Sequence, residues 1–151
     1  VAVAQRKRQP RVSLAAVRDT IEGAYRLLQP HDPYRLMTRD ELMARVDIPF
    51  FYDCAALVDD RLFFSWMWPE ADALKRQTAG HTPYFTDWKN EGDTLWIVDM
   101  SAAPDTPGTW VGRRIMAYLY DDALARDGEQ VLFRRHRRDG GRRLGWATIR
   151  S

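Results

Sequence analysis

The chain predicts an α/β (α+β) fold, a single mixed β-sheet flanked by helices. Three observations predict it. One N-terminal stretch repeats apolar residues at helical spacing and a second opens on a capping-box pattern, an apolar and aromatic hairpin follows, and a strand, helix, strand, strand series closes the chain. With 151 residues the chain can bury a proper core. We expect a flexible basic arm over residues 1–12 and a single folded domain over residues 13–151.

Taken in order, Ser13 is a plausible N-cap, and Val17, Ile21, Ala24 or Tyr25, and Leu28 recur on one face, which predicts a helix over 14–28. Pro30 and Pro33 forbid its continuation on both sides of His31. A second, short helix starts at "TRDE", where Thr38 and Glu41 have capping-box spacing. The run "PFFYDCAALVDDRLFFSWMW" reads as two strands around an Asp59-Asp60 turn. Pro69 and "EADALKRQ" start a short helix that closes near Gly80, and "TPYFTDW" lies on a looser helix or loop. Gly92-Asp93 turns the chain into the strand "TLWIVDMSA". Beyond the loop "APDTPG" comes a helix near 109–126, with Val111, Ile115, Tyr118 or Leu119, and Asp122 on one face and Gly128 as its C-cap. The strand "EQVLFRRH", a "DGG" turn and the strand "RLGWATI" complete the order.

Composition removes several classes of function. An apolar content of 45% argues against a disordered chain, and apolar runs such as "LFFSWMW" are far short of a bilayer crossing. The start carries a basic cluster without the apolar region of a signal peptide, so a cytoplasmic protein is expected. One cysteine, Cys54, excludes an internal disulfide and any cysteine-based zinc cluster. Its alternation with apolar neighbours predicts burial rather than a nucleophile. His81 and His136 lack paired ligand spacing, so no metal site is expected. Net charge is only +2, yet Arg134 to Arg150 holds seven arginines against one acid, Asp139. That cationic end suits nucleic acid, a phosphorylated cofactor or an acidic protein, or is simply a solvated hairpin. No known motif frames these arginines, so nucleic acid is not the expected partner.

The stretch from Leu95 to Arg135 is a strand, loop, helix, strand crossover unit. The helix start near Gly112, Arg113 and Arg114 offers backbone N–H groups and charge to an anion. In outline this unit resembles the acyl-donor-binding core of the N-acetyltransferases, the GNAT-like fold. A more specific likeness spans about 100 residues: "FFSWMWPEADALKR", then "DWKNEGDTLWIVDMSAAP", then "LFRRHR". Ser65-Trp66, Asp87-Trp88, Gly92, Asp93, Trp96 and Asp99 stand in the order found in the toxin-activating lysine acyltransferases. The chain resembles that hemolysin-activating family of RTX systems as a divergent member. It has "APDTPG" where the family carries Pro-Phe-Gly, and the family's functional asparagine after the histidine has no match here.

The resemblance implies transfer of a fatty acyl group from acyl-carrier protein to an internal lysine of a protoxin-like protein. No bound cofactor is implied beyond the acyl-carrier donor, and family members commonly form dimers. By position in the motif, His31 is implied as the catalytic histidine, Asp99 as the catalytic aspartate and Arg137 as the arginine of the late strand. Gly112, Arg113, Arg114 and Trp96 join Arg137 as the candidate donor-binding set. The chemistry is coherent. A lysine amine, with an ordinary pKa of about 10.4, needs a base before it attacks a thioester, and histidine can take that proton. A neighbouring carboxylate can fix the histidine tautomer and stabilise its cation.

Each residue also has a simpler reading. His31 between two prolines is a surface loop residue, Asp99 receives the N–H groups of the following turn, and Trp66, Trp88 and Trp96 are core. On those readings the chain is a non-catalytic module of the same fold that serves in interaction or assembly, for example in a phage-like element.

Overall fold

A computed structural model of the chain describes residues 14–89, 92–125, 130–136 and 142–148, with side chains through residue 120. The expected N-terminal arm, the Gly128 cap, the "DGG" turn and Arg137 lie outside the described residues.

Helix α1 (Leu14–Leu28) buries Ala24 and Leu28, and a short 3-10 turn (Tyr34–Leu36) follows the prolines. Helix α2 (Arg39–Phe51) opens on the expected capping box. The Glu41 N–H donates to Thr38 Oγ1 at 3.2 Å, and the Thr38 N–H donates to the Glu41 carboxylate at 3.0 Å. Such reciprocal bonds satisfy two of the donors that a helix start leaves free. One expectation is corrected here: Pro49, Phe50 and Phe51 are the end of α2, not the start of a strand. Leu42, Val46 and Pro49 form one buried stripe at helical spacing, and its burial outweighs the β preference of the aromatic run.

Strands β1 (Ala55–Val58) and β2 (Leu62–Met67) form the expected hairpin. Its turn has two consecutive left-handed residues, Asp59 (φ 52°) and Asp60 (φ 53°), a backbone that aspartate tolerates better than most side chains. Helix α3 (Ala71–Thr78) and a 3-10 segment (Phe85–Lys89) lead to β3 (Leu95–Ala102). Helix α4 (Gly108–Ala125) then crosses over to β4 (Gln130–His136), which pairs with β5 (Arg142–Thr148).

The result is a mixed α/β fold on a five-stranded sheet in the order β1-β2-β3-β4-β5. All neighbours are antiparallel except β3 and β4, the pair joined by α4. Two details of register matter. Between β2 and β3, Ser65 pairs with Asp99 but Trp66 pairs with Ile97, so Val98 is an extra residue bulged out of β3. Between β3 and β4, register holds only at Leu95 with Val131 and Trp96 with Leu132. Beyond Trp96, β3 continues for six residues paired to β2 alone.

Helices α1 and α2 cover the face that carries Ala55, Phe63, Asp99 and Ser101. The Ser101 hydroxyl donates to the Leu27 carbonyl at 2.6 Å, tying β3 to the end of α1. On the opposite face Phe64 and Trp66 meet Tyr118 of α4 edge-on, with Ile115 and Leu119 buried beside them. Among the described residues no helix is long and apolar enough to cross a membrane.

Candidate functional site

Asp99 is the centre of the polar chemistry on the α1/α2 face. The bulge at Val98 shifts the alternation of β3 by one residue, so Asp99 falls on the face opposite Ile97. There it is 3% exposed. A buried carboxylate needs partners, and Asp99 has them. Arg45 of α2 grips it with two bonds, Nε to Oδ2 at 2.7 Å and Nη2 to Oδ1 at 3.1 Å. The Tyr34 hydroxyl donates to Oδ1 at 2.6 Å. Thr82 Oγ1 accepts from Arg45 Nη1 at 3.2 Å, which ties the same guanidinium to the loop after α3. Burial on its own would push the Arg45 pKa down. The Asp99 charge, the hydrogen bonds to it and the Tyr34 hydroxyl outweigh this, and the pKa is raised from its ordinary value.

Ser65 sits directly across the ladder from Asp99, fully buried, with no hydrogen-bond partner for its hydroxyl among the described residues. The unmet hydroxyl therefore stands on the ladder rung next to the bulge.

His31 is exposed, in the turn between α1 and the Tyr34–Leu36 segment. Its backbone is fixed at both ends: the N–H donates to the Leu28 carbonyl at 3.0 Å, and its carbonyl accepts from the Arg35 N–H at 2.8 Å. Among the described residues no side-chain bond joins it to Asp99, whose carboxylate is held by Arg45 and Tyr34. What connects the two is the turn itself, since Tyr34 lies three residues after His31.

The candidate donor-binding residues are not brought together as a set. Trp96 is 2% exposed, and its indole N–H donates to Gln77 Oε1 at 3.0 Å, so it is core. Trp66 and Trp88 are buried as well. Gly112, Arg113 and Arg114 are exposed on α4, and Arg114 lies 5.4 Å from the Trp110 ring. Helix α4 starts at Gly108, so the N–H groups free of helical bonding belong to its first turn, and the Gly112 N–H lies inside the helix.

The tryptophan motif has a clear mechanical role. The Asp87 carboxylate accepts from both terminal nitrogens of Arg76, at 3.1 and 2.7 Å, and from the Tyr84 N–H at 2.8 Å. Burial would raise the Asp87 pKa, but these hydrogen bonds and the Arg76 charge hold it below the ordinary carboxylate value. Gly92 donates its N–H to the Trp68 carbonyl at 2.9 Å, and a Cβ there would lie 1.8 Å from the Pro69 carbonyl oxygen. Between these anchors Trp88 turns inward to close a cleft of about 450 Å³. Its other walls include Met37, Ala44, Arg45, Ile48 and Pro83.

Arg45, Tyr34 and Thr82 were absent from the sequence-derived set. Arg45 does carry a local signal, since it lies beside Val46 and three residues after Leu42, on the flank of the buried stripe of α2. Its pairing with Asp99, 54 residues away, has no local signature. Among the described residues no group of three or more His, Cys, Asp or Glu is placed to hold a metal ion. No family model and no curated protein matches the chain.

Proposed function

We propose that this protein is a protein-lysine acyltransferase on a GNAT-like sheet, one that moves a fatty acyl group from acyl-carrier protein to a lysine of a protein acceptor. The observation that carries the reading is the β3-α4-β4 unit. Its two parallel strands pair only at their first two registered positions, with the Val98 bulge just beyond and the first turn of α4 at the same end of the sheet. Strand ends of this kind border the binding crevice in open α/β sheets. The ordered series of Ser65-Trp66, Asp87-Trp88, Gly92, Trp96 and Asp99 supports the same reading from sequence.

In the proposed reaction the lysine nitrogen attacks the thioester carbonyl carbon. A C–N bond forms and the C–S bond breaks. His31 removes a proton from the amine and returns it to the departing thiolate. Asp99 acts at one remove: through Tyr34 and Arg45 it holds the turn that carries His31 against the sheet. Arg137 and the arginine-rich end would face the acidic carrier.

Mass spectrometry tests this with purified protein, a range of acyl-carrier thioesters and a lysine-bearing acceptor. The wild type is expected to add the acyl mass to lysine, and His31→Ala to lose on the order of 100-fold or more in rate with its melting temperature kept. A folded wild type that transfers from no donor sinks the proposal. One observation favours a second reading, an interaction module without catalysis: the Asp99 charge is already neutralised by Arg45. That reading predicts the same negative result.

A further inference from the structure

The cleft between α2 and the Thr82–Trp88 segment has a chemistry more specific than its size. Its walls are mainly apolar, from Met37, Ala44, Ile48, Pro49, Pro83 and Trp88. Arg45 also lines it, with its side chain 16% exposed. A guanidinium has five N–H donors, and among the described residues this one commits three, two to Asp99 and one to Thr82, which leaves two. Its charge, by contrast, is already matched by Asp99, and the Glu41 carboxylate also lines the cleft. The cleft therefore has donors to offer but no positive charge in excess. A carboxylate would bring an unmatched charge beside Glu41, whereas a neutral carbonyl would satisfy the donors at no such cost.

We propose that the cleft holds the acyl chain of a thioester, with the chain along the apolar walls and the carbonyl oxygen accepting from Arg45. The identity of the chain rests on the acyltransferase reading; the preference for a neutral carbonyl on an apolar tail rests on the charge balance of the cleft alone. The apolar surface continues outward from Pro83 through the exposed rings of Tyr84 and Phe85, and Phe85 meets Tyr52 edge-on at 5.7 Å. A chain longer than the cleft would thus leave over aromatic surface.

The test uses the full chain and a soluble probe, the decanoyl thioester of N-acetylcysteamine, with decanoate as the charged counterpart. Calorimetry is expected to find saturable thioester binding and decanoate binding at least tenfold weaker. Ala44→Trp, which fills the cleft from the surface of α2, should weaken thioester binding at least tenfold. In the unaltered protein, NMR should detect contacts from the acyl methylenes to the Ile48 methyls and the Trp88 indole, which keeps the test decisive even where the variant folds poorly. Absent binding, decanoate binding as tight as the thioester, contacts to other residues, or a folded Ala44→Trp protein that binds unchanged would each overturn the assignment. Acyl transfer at wild-type rate by folded Ala44→Trp would overturn the cleft and leave the acyltransferase reading standing. Thioester held in the cleft of a protein that transfers to no acceptor would do the reverse.

Discussion

At the scale of single residues, the ion pair between Arg45 and Asp99 is the most deeply buried among the described residues. Its carboxylate is 1% exposed and its guanidinium 16%. Removing one member leaves the other charged and buried, which costs about 3–5 kcal/mol, whereas replacing both with apolar groups costs far less. We expect Asp99→Ala to be destabilised on that order and Asp99→Val combined with Arg45→Met to recover most of the loss. Urea unfolding of the single and double variants measures this, and losses that simply add would show that the two side chains do not act as a unit. Asp99 was singled out in the sequence as a carboxylate at the end of an apolar strand, but it lies inside β3, which continues through Ala102. Its partners were not legible there, because Tyr34 and Arg45 lie 65 and 54 residues away and their meeting depends on how the helices cross the sheet.

At the scale of elements, local signals were read correctly where local chemistry decides the outcome. The capping box of α2 and the Asp59-Asp60 turn depend only on residues a few positions apart. Local signals failed where tertiary burial decides, as at Pro49 to Phe51, and where an irregularity lies inside a regular pattern, as at Val98. Two glycines separate structural need from permissiveness. At Gly92 the backbone of Pro69 occupies the space of a Cβ, so Gly92→Ala must move the chain and is expected to cost on the order of 3 kcal/mol. At Gly112 a Cβ would meet nothing, so Gly112→Ala is expected to stabilise α4 by up to about 1 kcal/mol. Thermal melts followed by circular dichroism should move in opposite directions for the two variants.

At the scale of the whole molecule, the succession of elements and the strand-helix-strand crossover were legible in the sequence, and the sheet then sets every strand beside its neighbour in sequence with one helix joining the parallel pair. The opening of that pair was not legible, since nothing local marks where β4 leaves β3. Stability of the whole fold should depend on acid through Asp87, whose folded pKa lies below its ordinary value. A depressed carboxylate contributes fully above the unfolded pKa, about 3.9, and loses that contribution as the pH falls through the folded value. Urea unfolding from pH 7 down to pH 2 should therefore fall more steeply for wild type than for Asp87→Asn, which starts less stable and has less to lose. A final consequence concerns chain length rather than chemistry. The extra residue at Val98 is a phase shift: before it, odd-numbered positions of β3 share the layer of Leu95 and Ile97, and after it they join Asp99 and Ser101 in the other. Laid out in unbroken alternation with Val98 kept in step, the same residues would deliver a carboxylate and a hydroxyl into the aromatic layer of Phe64 and Trp66, whereas removing Val98 would leave a plain strand with Asp99 still opposite Ile97. Along this strand, then, the count of residues between Ile97 and Asp99 decides which layer each side chain enters, whatever its chemistry.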